Sequence, residues 1–336
     1  MAFDYSKAGV DVQKVKGMHA QIDEMLRATH SADVLPIYGH YAGLMKLPGS
    51  KQLLAMHTDG VGTKVLVAQR LRKFDTVGID CVAMNVNDII CVGARPTALV
   101  DYLALEREDE VLTAELMKGL VKGAKEAGVS IVGGETAIMG DVIKGEPGCT
   151  GFDLAATCIG VVETKDGKPI TGEAMKAGDV VVGLESSGIH SNALTLARKV
   201  LTEEKWQREL LTPTRIYVKP VLEMVAKLDV HGLAHITGGA FSKLSRIADC
   251  SPQNIGFALK DMPTPQPVFT EIQRAAKLSE REMYRTFNMG VGMCVIVPEK
   301  QADSAIAIAK RHGIKAGRIG KIIKEKGITV NQCSVL

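Results

Sequence analysis

Two runs of alternating strand-like and helix-like segments, separated by one polar stretch, constrain the fold of this chain most. In each run, short apolar stretches such as VSIVGGE or VVVGLE alternate with amphipathic stretches such as REDEVLTAELMKGLVKGAKEAG. The stretch 164–179 between the runs is polar and holds three glycines and one proline. Because such alternation builds layers of sheet and helix, the sequence predicts a mixed α/β (α+β) fold with two domains, residues 1–165 and 166–336.

The composition argues against several functional classes. The chain has 336 residues, with 41 Lys plus Arg against 38 Asp plus Glu, a net charge of +3, and 4% aromatic residues. Such a chain lacks the basic surface and stacking platforms that nucleic-acid binding needs, so no nucleic-acid partner is expected. No apolar stretch approaches ~18 residues, which predicts no membrane-spanning helix. The seven cysteines form no CxxC pair, which favours buried thiols and a cytoplasmic location.

The common nucleotide and hydrolase motifs are absent, and four strings at strand–helix junctions are left to carry chemistry. The first is HTDGVGTK, residues 57–64. Its glycines let backbone N–H groups approach phosphate oxygens, Lys64 supplies a cation, and Asp59 offers a hard oxygen ligand for magnesium. The alternative is an ordinary Asp-Gly turn followed by a capping threonine.

The second string places polar residues on an otherwise apolar helix that begins near Asp80. At 100° per residue, Asp80 and Asn87 lie nearly on one line and Asp88 lies about 80° away. Such an arc is costly to bury unless its members are paired or bind a metal, and the alternative is a face that water covers.

The third and fourth strings lie farther along the chain. Gly133-Gly134-Glu135-Thr136 follows a strand, and it is either a ligand loop or a glycine-rich turn. Residues 186–192, SSGIHSN, and residues 237–239 in ITGG suit an anion site made of hydroxyls and helix N-terminal amides. In the alternative, Ser191 caps a helix and His190 is a structural histidine.

Taken together, the strings resemble one known family. They occur in the order AGVD, TDGVGTK, VGID with VAM and VND, GGETA, SSGIHSN, PTRIYVK, ITGG, and EMYRTFN followed by GVGM. This series resembles the phosphoribosylformylglycinamidine cyclo-ligases of purine biosynthesis, from about residue 5 to residue 298. PTRIYVK and MYRTFN distinguish that family from other ATP-dependent members of its superfamily, including selenophosphate synthetase and thiamine monophosphate kinase.

The resemblance implies a fold, a reaction and two ligands. The N-terminal sheets of two subunits would form a barrel across a homodimer interface, and the C-terminal domain would hold a mixed sheet flanked by helices. ATP and Mg²⁺ would bind the first domain, and ATP would activate the formamide oxygen of formylglycinamidine ribonucleotide. The amidine nitrogen of this small-molecule substrate would then close the ring of aminoimidazole ribonucleotide and release phosphate.

The resemblance also assigns residues to each ligand. It implies metal ligation by Asp59, Asp88 and Glu135, and catalytic or positioning roles for His190, Lys64 and Asn192. It implies ATP binding by Asp59, Gly60, Gly62, Thr63, Lys64, Asn87, Gly133 and Gly134. It implies substrate binding by Ser187, Gly188, His190, Asn192, Thr237, Gly238 and Gly239.

Four positions depart from the family pattern, at Ser6, His40, Ile138 and Ala240. They leave two alternative functions, another ATP-dependent kinase or synthetase of the superfamily, or a nucleotide-binding regulator that has lost catalysis.

Overall fold

The N-terminal half is built on a five-stranded sheet. The structure is a computed structural model that describes residues 12–37 and 39–336, so Ser6 and the AGVD string lie outside the described residues. The strands are β1 Gly43–Lys46, β2 Leu53–Gly60, β3 Ala94–Leu105, β4 Ser130–Ile138 and β5 Phe152–Val162. Their spatial order is β1-β2-β5-β3-β4, and all pairs are antiparallel except β3 with β4.

Four helices accompany this sheet: α1 Val12–Arg27, α2 Lys64–Leu71, α3 Val77–Ile90 and α4 Glu110–Ala127. Every residue of α3 is buried, because the helix lies between the sheet, α4 and the second half of the chain. The α3–α4 contact is close at two glycines. A Cβ atom on Gly119 would lie 2.5 Å from the backbone oxygen of Asp75 and 3.0 Å from the Cα of Gly78. These glycines therefore set the distance between the two helices.

The face of the sheet away from α3 is exposed and largely apolar. Met56, Val100, Tyr102 and Ile159 on β2, β3 and β5 keep 37 to 43% of their surface accessible. Large apolar side chains gathered on one sheet face indicate a surface that another protein covers.

The C-terminal half is built on a seven-stranded mixed sheet. Its strands are β6 Val180–Glu185, β7 Gly232–His235, β8 Gly256–Leu259, β9 Val291–Val297, β10 Ala316–Ile323, β11 Ile328–Val330 and β12 Cys333–Ser334. They lie in the order β12-β11-β8-β10-β6-β9-β7. Seven helices join them: α5 Leu194–Val200, α6 Glu204–Leu210, α7 Val218–Lys227, α8 Ser245–Ala248, α9 Pro267–Ala276, α10 Glu280–Thr286 and α11 Ala302–Arg311.

The predicted fold class is confirmed, whereas some local predictions were wrong. The first sheet ends at Val162 and the second begins at Val180, on either side of the polar stretch. Gly133–Thr136 does not form a loop but lies within β4, and Asp59 and Gly60 end β2. The glycines misled the sequence analysis because β4 is an exposed edge strand, where little side-chain packing is needed. No helix in the described part of the chain is long and apolar enough to cross a membrane.

Candidate functional site

The first and fourth predicted strings meet where the two domains touch. The Ser191 hydroxyl donates to the Val61 carbonyl at 2.9 Å, and the hydroxyl oxygens of Thr63 and Thr195 lie 3.2 Å apart. The HTDGVGTK and SSGIHSN strings therefore pack directly on each other although about 130 residues separate them. We call this contact region the interdomain seam.

Lys64 lies inside the interdomain seam and not on an open phosphate-binding surface. Its side chain is fully buried, and its ammonium group lies 2.9 and 2.8 Å from the two carboxylate oxygens of Asp80. It also donates to the Thr212 carbonyl at 2.7 Å, while Asp80 accepts from the backbone N–H and hydroxyl of Thr214. The ammonium group is thus fully engaged within this chain, and its contact with ATP phosphate stays a prediction.

Asn87 also joins the two domains. Its amide donates to the Arg215 carbonyl at 2.8 Å, and its carbonyl accepts from the Tyr217 N–H at 2.9 Å. The polar arc of α3 is thus not a face that water covers, and ATP binding by Asn87 stays a prediction. It supplies hydrogen bonds to residues 212–217, which overlap the PTRIYVK string, and so satisfies buried backbone groups of the other domain.

His190 is fully buried, and its catalytic and substrate-binding roles stay predictions. Its Nε2 accepts a hydrogen bond from the Ser187 N–H at 3.1 Å, and its backbone has a φ of 62°. Burial lowers the pKa of His190 well below its ordinary value, so the ring is neutral. Its Nδ1 is buried and has no hydrogen-bond partner among the described residues.

Asp88 lies between two histidines. One carboxylate oxygen is 2.7 Å from Nδ1 of His235, and the other is 3.4 Å from Nε2 of His57. Burial alone would raise the pKa of Asp88, but the hydrogen bond and charge of His235 outweigh it and lower the pKa to about 2. The carboxylate is therefore ionised, and its hydrogen bond with the His235 ring sets its position.

The three predicted metal ligands do not come together within one chain. Asp59 pairs in register with Ala156, which pairs in turn with Asp101, so the two aspartates lie on the α3 side of the sheet. Glu135 is one residue beyond Gly134, the partner of Asp101, and it therefore lies on the opposite, exposed face. Among the described residues, no three His, Cys, Asp or Glu side chains are grouped to hold a metal ion.

The predicted substrate loops are brought together more closely. The Asn192 amide donates to the Thr286 carbonyl at 3.1 Å, and its Oδ1 lies 3.3 Å from where a Cβ on Gly238 would be. The Ser187 hydroxyl donates to the Pro213 carbonyl at 2.6 Å, and Gly188 adopts a φ of 144°. Gly238 and Gly239 are exposed, whereas Thr237 is buried.

Sequence reasoning missed the cations at this site. Lys243 and Arg246 follow the ITGG string, and both lie over the buried ring of Tyr41. The Lys243 ammonium donates to the Thr237 hydroxyl. Their spacing of three residues, immediately after a predicted ligand loop, was the available signal.

The departures from the family pattern have different structural settings. His40 is buried, and burial lowers its pKa to about 4. Ile138 is an exposed residue at the end of β4. Ala240 is buried with a φ of 44°, a left-handed conformation that favours glycine.

Comparisons with known proteins agree with this architecture. Family models for the N-terminal and C-terminal domains of AIR synthase related proteins match residues 39–162 and 176–332. A phosphoribosylformylglycinamidine cyclo-ligase of Methanocaldococcus jannaschii is 46% identical, with 98% of this chain and 94% of the relative covered. That of Saccharolobus solfataricus is 45% identical, with 97% and 96% covered.

A solved structure, AaThiL complexed with AMPPCP and TMP, shares the fold. It has a TM-score of 0.68 at 16% identity and covers 96% of both chains. The sequence relatives show more than the fold, because their identity extends over nearly the whole length of both partners. The chain therefore belongs to the phosphoribosylformylglycinamidine cyclo-ligase family.

Proposed function

We infer that this protein catalyses the ATP-dependent cyclisation of formylglycinamidine ribonucleotide to aminoimidazole ribonucleotide. The observation that carries this inference is the near full-length similarity to curated cyclo-ligases, through both domains. The interdomain seam is rich in glycines and hydroxyl groups, and we identify no nucleophile–base pair among its described residues. This composition is compatible with such a reaction. Phosphate transfer to the formamide oxygen is followed by attack of the amidine nitrogen of the same molecule, so positioning contributes most of the catalysis.

The residues proposed for ATP divide into two groups. Asp59, Gly60, Gly62 and Thr63 end β2 and begin α2, where backbone N–H groups and one carboxylate suit a nucleotide phosphate chain. Lys64 and Asn87 support these residues indirectly, because their side chains donate hydrogen bonds to backbone carbonyls of the second domain. Gly133 and Gly134 lie on the exposed edge strand β4.

Magnesium fits this site only with the help of ATP. One carboxylate oxygen of Asp59 accepts a hydrogen bond from the Gly60 N–H at 2.8 Å. The other oxygen is left to ligate a cation. Both oxygens of Asp88 face histidines, and Glu135 lies on the other face of the sheet. Mg²⁺ is often held by one or two carboxylates and substrate phosphates, and Asp59 is the residue that we propose for it.

The substrate is proposed to bind the second domain. Ser187 and Gly188 border one side of the interdomain seam, while Asn192 lies beside Gly238. Exposed Gly238 and Gly239 present backbone to the substrate, and Thr237 offers a hydroxyl that Lys243 already contacts. His190 positions this loop through the Ser187 N–H and does not touch substrate in our proposal.

A homodimer is the proposed assembly, formed by the exposed face of the first sheet. Met56, Val100, Tyr102 and Ile159 supply its apolar surface, and Glu135 lies on the same face. Pairing two such faces would remove this apolar area from water, and it would place Glu135 at the interface. A cytoplasmic location stays a prediction.

Turnover of the purified protein tests the proposed function. With formylglycinamidine ribonucleotide and Mg-ATP, we expect one ADP to form for each imidazole ring, which a coupled ADP assay and a colorimetric amine assay can follow together. ADP release without ring formation would favour another ATP-dependent member of the superfamily. Nucleotide binding with neither product would favour a regulator.

A further inference from the structure

Two neighbouring cations on the second domain have no established role. Lys243 belongs to the 3₁₀ turn 240–244, and Arg246 belongs to α8, three residues later. The Lys243 Nζ lies 5.8 Å and the Arg246 Cζ 5.4 Å from the centre of the same Tyr41 ring. The ring of one residue from the first domain thus fixes two positive groups of the second domain side by side.

In the described part of the chain, Lys243 and Arg246 make no close ion pair, although the charges of Asp88 and Asp59 act on Lys243 at longer range. Within the described residues, neither makes an ion pair with a carboxylate at 4.0 Å or less, and no side-chain hydrogen bond of Arg246 occurs. Lys243 has a single hydrogen bond, to the neutral Thr237 hydroxyl. Two adjacent cations repel each other, and the cost falls when an anion binds between them.

A groove and an unpaired hydroxyl lie near the two cations. Of Thr237, Lys243 and Arg246, only Arg246 lines the open groove of about 1090 Å³, whose lining also includes the carboxylates of Asp166 and Asp249. The Tyr41 side chain is 1% exposed, and its hydroxyl is buried without a hydrogen-bond partner. A buried polar group left unpaired beside two cations favours a ligand site.

The electrostatics of Lys243 agree with an anion at this corner. Burial lowers the pKa of Lys243, the charge of Asp88 opposes that shift, and the charge of Arg246 adds to it. A bound dianion would compensate for both the burial and the repulsion by Arg246.

We propose that Lys243, Arg246 and the Thr237 hydroxyl form a phosphate-monoester site that holds the ribose 5-phosphate end of the substrate. The site deepens the proposed function and rests on it for the identity of the whole substrate. Arg246 is suited to grip two phosphate oxygens, and Lys243 supplies the second charge. The ITGG loop carries the third donor, so the phosphate would lie beside Gly238 and Gly239.

Binding of ribose 5-phosphate tests the site apart from catalysis. The variants are Lys243→Gln and Arg246→Gln, and the matched control is Lys310→Gln, an exposed lysine of α11. Calorimetry is done with ribose 5-phosphate, unphosphorylated ribose and a non-hydrolysable ATP analogue with Mg²⁺. We expect ribose 5-phosphate affinity to fall about 10- to 100-fold in each site variant, the range for a lost charged hydrogen bond. ATP-analogue affinity should be unchanged, and the control should match the parent protein.

Other results would overturn the proposal. Unchanged ribose 5-phosphate affinity in both site variants, or equal binding of ribose by the parent protein, would show that the cations bind no substrate phosphate. Loss of ATP-analogue affinity alone would assign them to the nucleotide. Arg246→Lys, which keeps the charge, should retain part of the affinity and guards against misfolding of the glutamine variant.

Failure of the proposed function would give a different pattern. If the parent protein does not close the imidazole ring but its ribose 5-phosphate affinity depends on Lys243 and Arg246, the phosphate site stands and the reaction is another one. If the parent protein closes the ring and both variants keep the parent KM for formylglycinamidine ribonucleotide, the function stands and the site is refuted.

Discussion

The polar side chains of α3 show how far one residue's role depends on the other half of the chain. Sequence spacing placed Asp80 and Asn87 on one polar arc of an apolar helix, which is costly to bury unless its members are paired. Both residues are buried in the structure. Their partners could not be predicted, because Thr214 and Arg215 lie more than 120 residues away and carry no pairing signal. The same limit explains why Lys64 was interpreted as a phosphate contact.

The buried pair of Lys64 and Asp80 gives a first prediction. Lys64→Met leaves an uncompensated buried carboxylate, so the free energy of unfolding should fall by about 3–5 kcal/mol. Lys73→Met removes one partner of an exposed pair with Asp75 and should cost less than about 1 kcal/mol. Urea denaturation measures both. A Lys64→Met protein of parental stability that has lost only ATP affinity would restore the phosphate-contact interpretation.

Ala240 gives a second prediction. An Ala→Gly substitution usually lowers stability, but at this position we expect no loss. Ala240→Gly relieves about 1–2 kcal/mol of left-handed backbone strain and loses about 0.8 kcal/mol of methyl burial. Stability should therefore stay level or rise by up to about 1 kcal/mol. Ala305→Gly, within α11, should lose about 1 kcal/mol of helix propensity and a further ~0.8 kcal/mol of methyl burial, because Ala305 is also buried. Equal losses in the two variants would argue against strain at Ala240.

A third prediction concerns acid stability and His40. Its folded pKa of about 4 lies below the value of 6.5 for an unfolded histidine, so only the unfolded chain takes up this proton between those pH values. The stability that neutral His40 provides is complete above pH 6.5 and is lost as pH falls towards 4. His40→Gln should reduce the slope of unfolding free energy against pH by about 1.4 kcal/mol per unit in that window. Denaturation series at several pH values would show an unaltered slope if His40 titrates normally.

At the scale of elements, apolar runs and helical periodicity were sufficient to find α3, α4 and most strands. They found the beginning of β4, but its GGET segment, which pairs with β3, was predicted as a ligand loop or turn. Glycines carry no side-chain periodicity, so the middle of this edge strand, with its two adjacent glycines, has no pattern to detect. The placement of Glu135 was lost with it, because only strand register decides which face a residue occupies.

The α3–α4 contact provides a prediction for elements. Gly119→Ala would place a Cβ 2.5 Å from the Asp75 carbonyl oxygen and force the helices apart, at a cost of about 1–3 kcal/mol. Gly17→Ala in α1 has no atom within 4 Å and should gain about 0.5–1 kcal/mol from helix propensity. Thermal unfolding of both variants should give shifts of opposite sign; two similar shifts would mean that α3 and α4 are not closely packed.

At the scale of the whole molecule, the alternation of elements predicted two domains, and the family resemblance added what local patterns could not, namely a homodimer formed through the first sheet. The exposed sheet face makes the assembly testable. We expect sedimentation at micromolar concentration to give about twice 36.0 kDa. Val100→Glu places a charge in the middle of this face and should give the monomer, whereas Val121→Glu on exposed α4 should leave the dimer intact. A parent protein that sediments as a monomer would exclude the assembly.

The ion pair at the interdomain seam has a consequence for synthesis of the chain. Translation completes α3, with Asp80 and Lys64 already present, while Thr214 is still 134 residues from Asp80 along the chain. Until that residue leaves the ribosome, the nascent first half can pair Lys64 with Asp80, but it lacks the second-domain groups that complete the burial of this pair. The last stage of burial therefore waits for the second half, and a nascent chain stalled near residue 165 would present a charged, unfinished surface to chaperones and proteases.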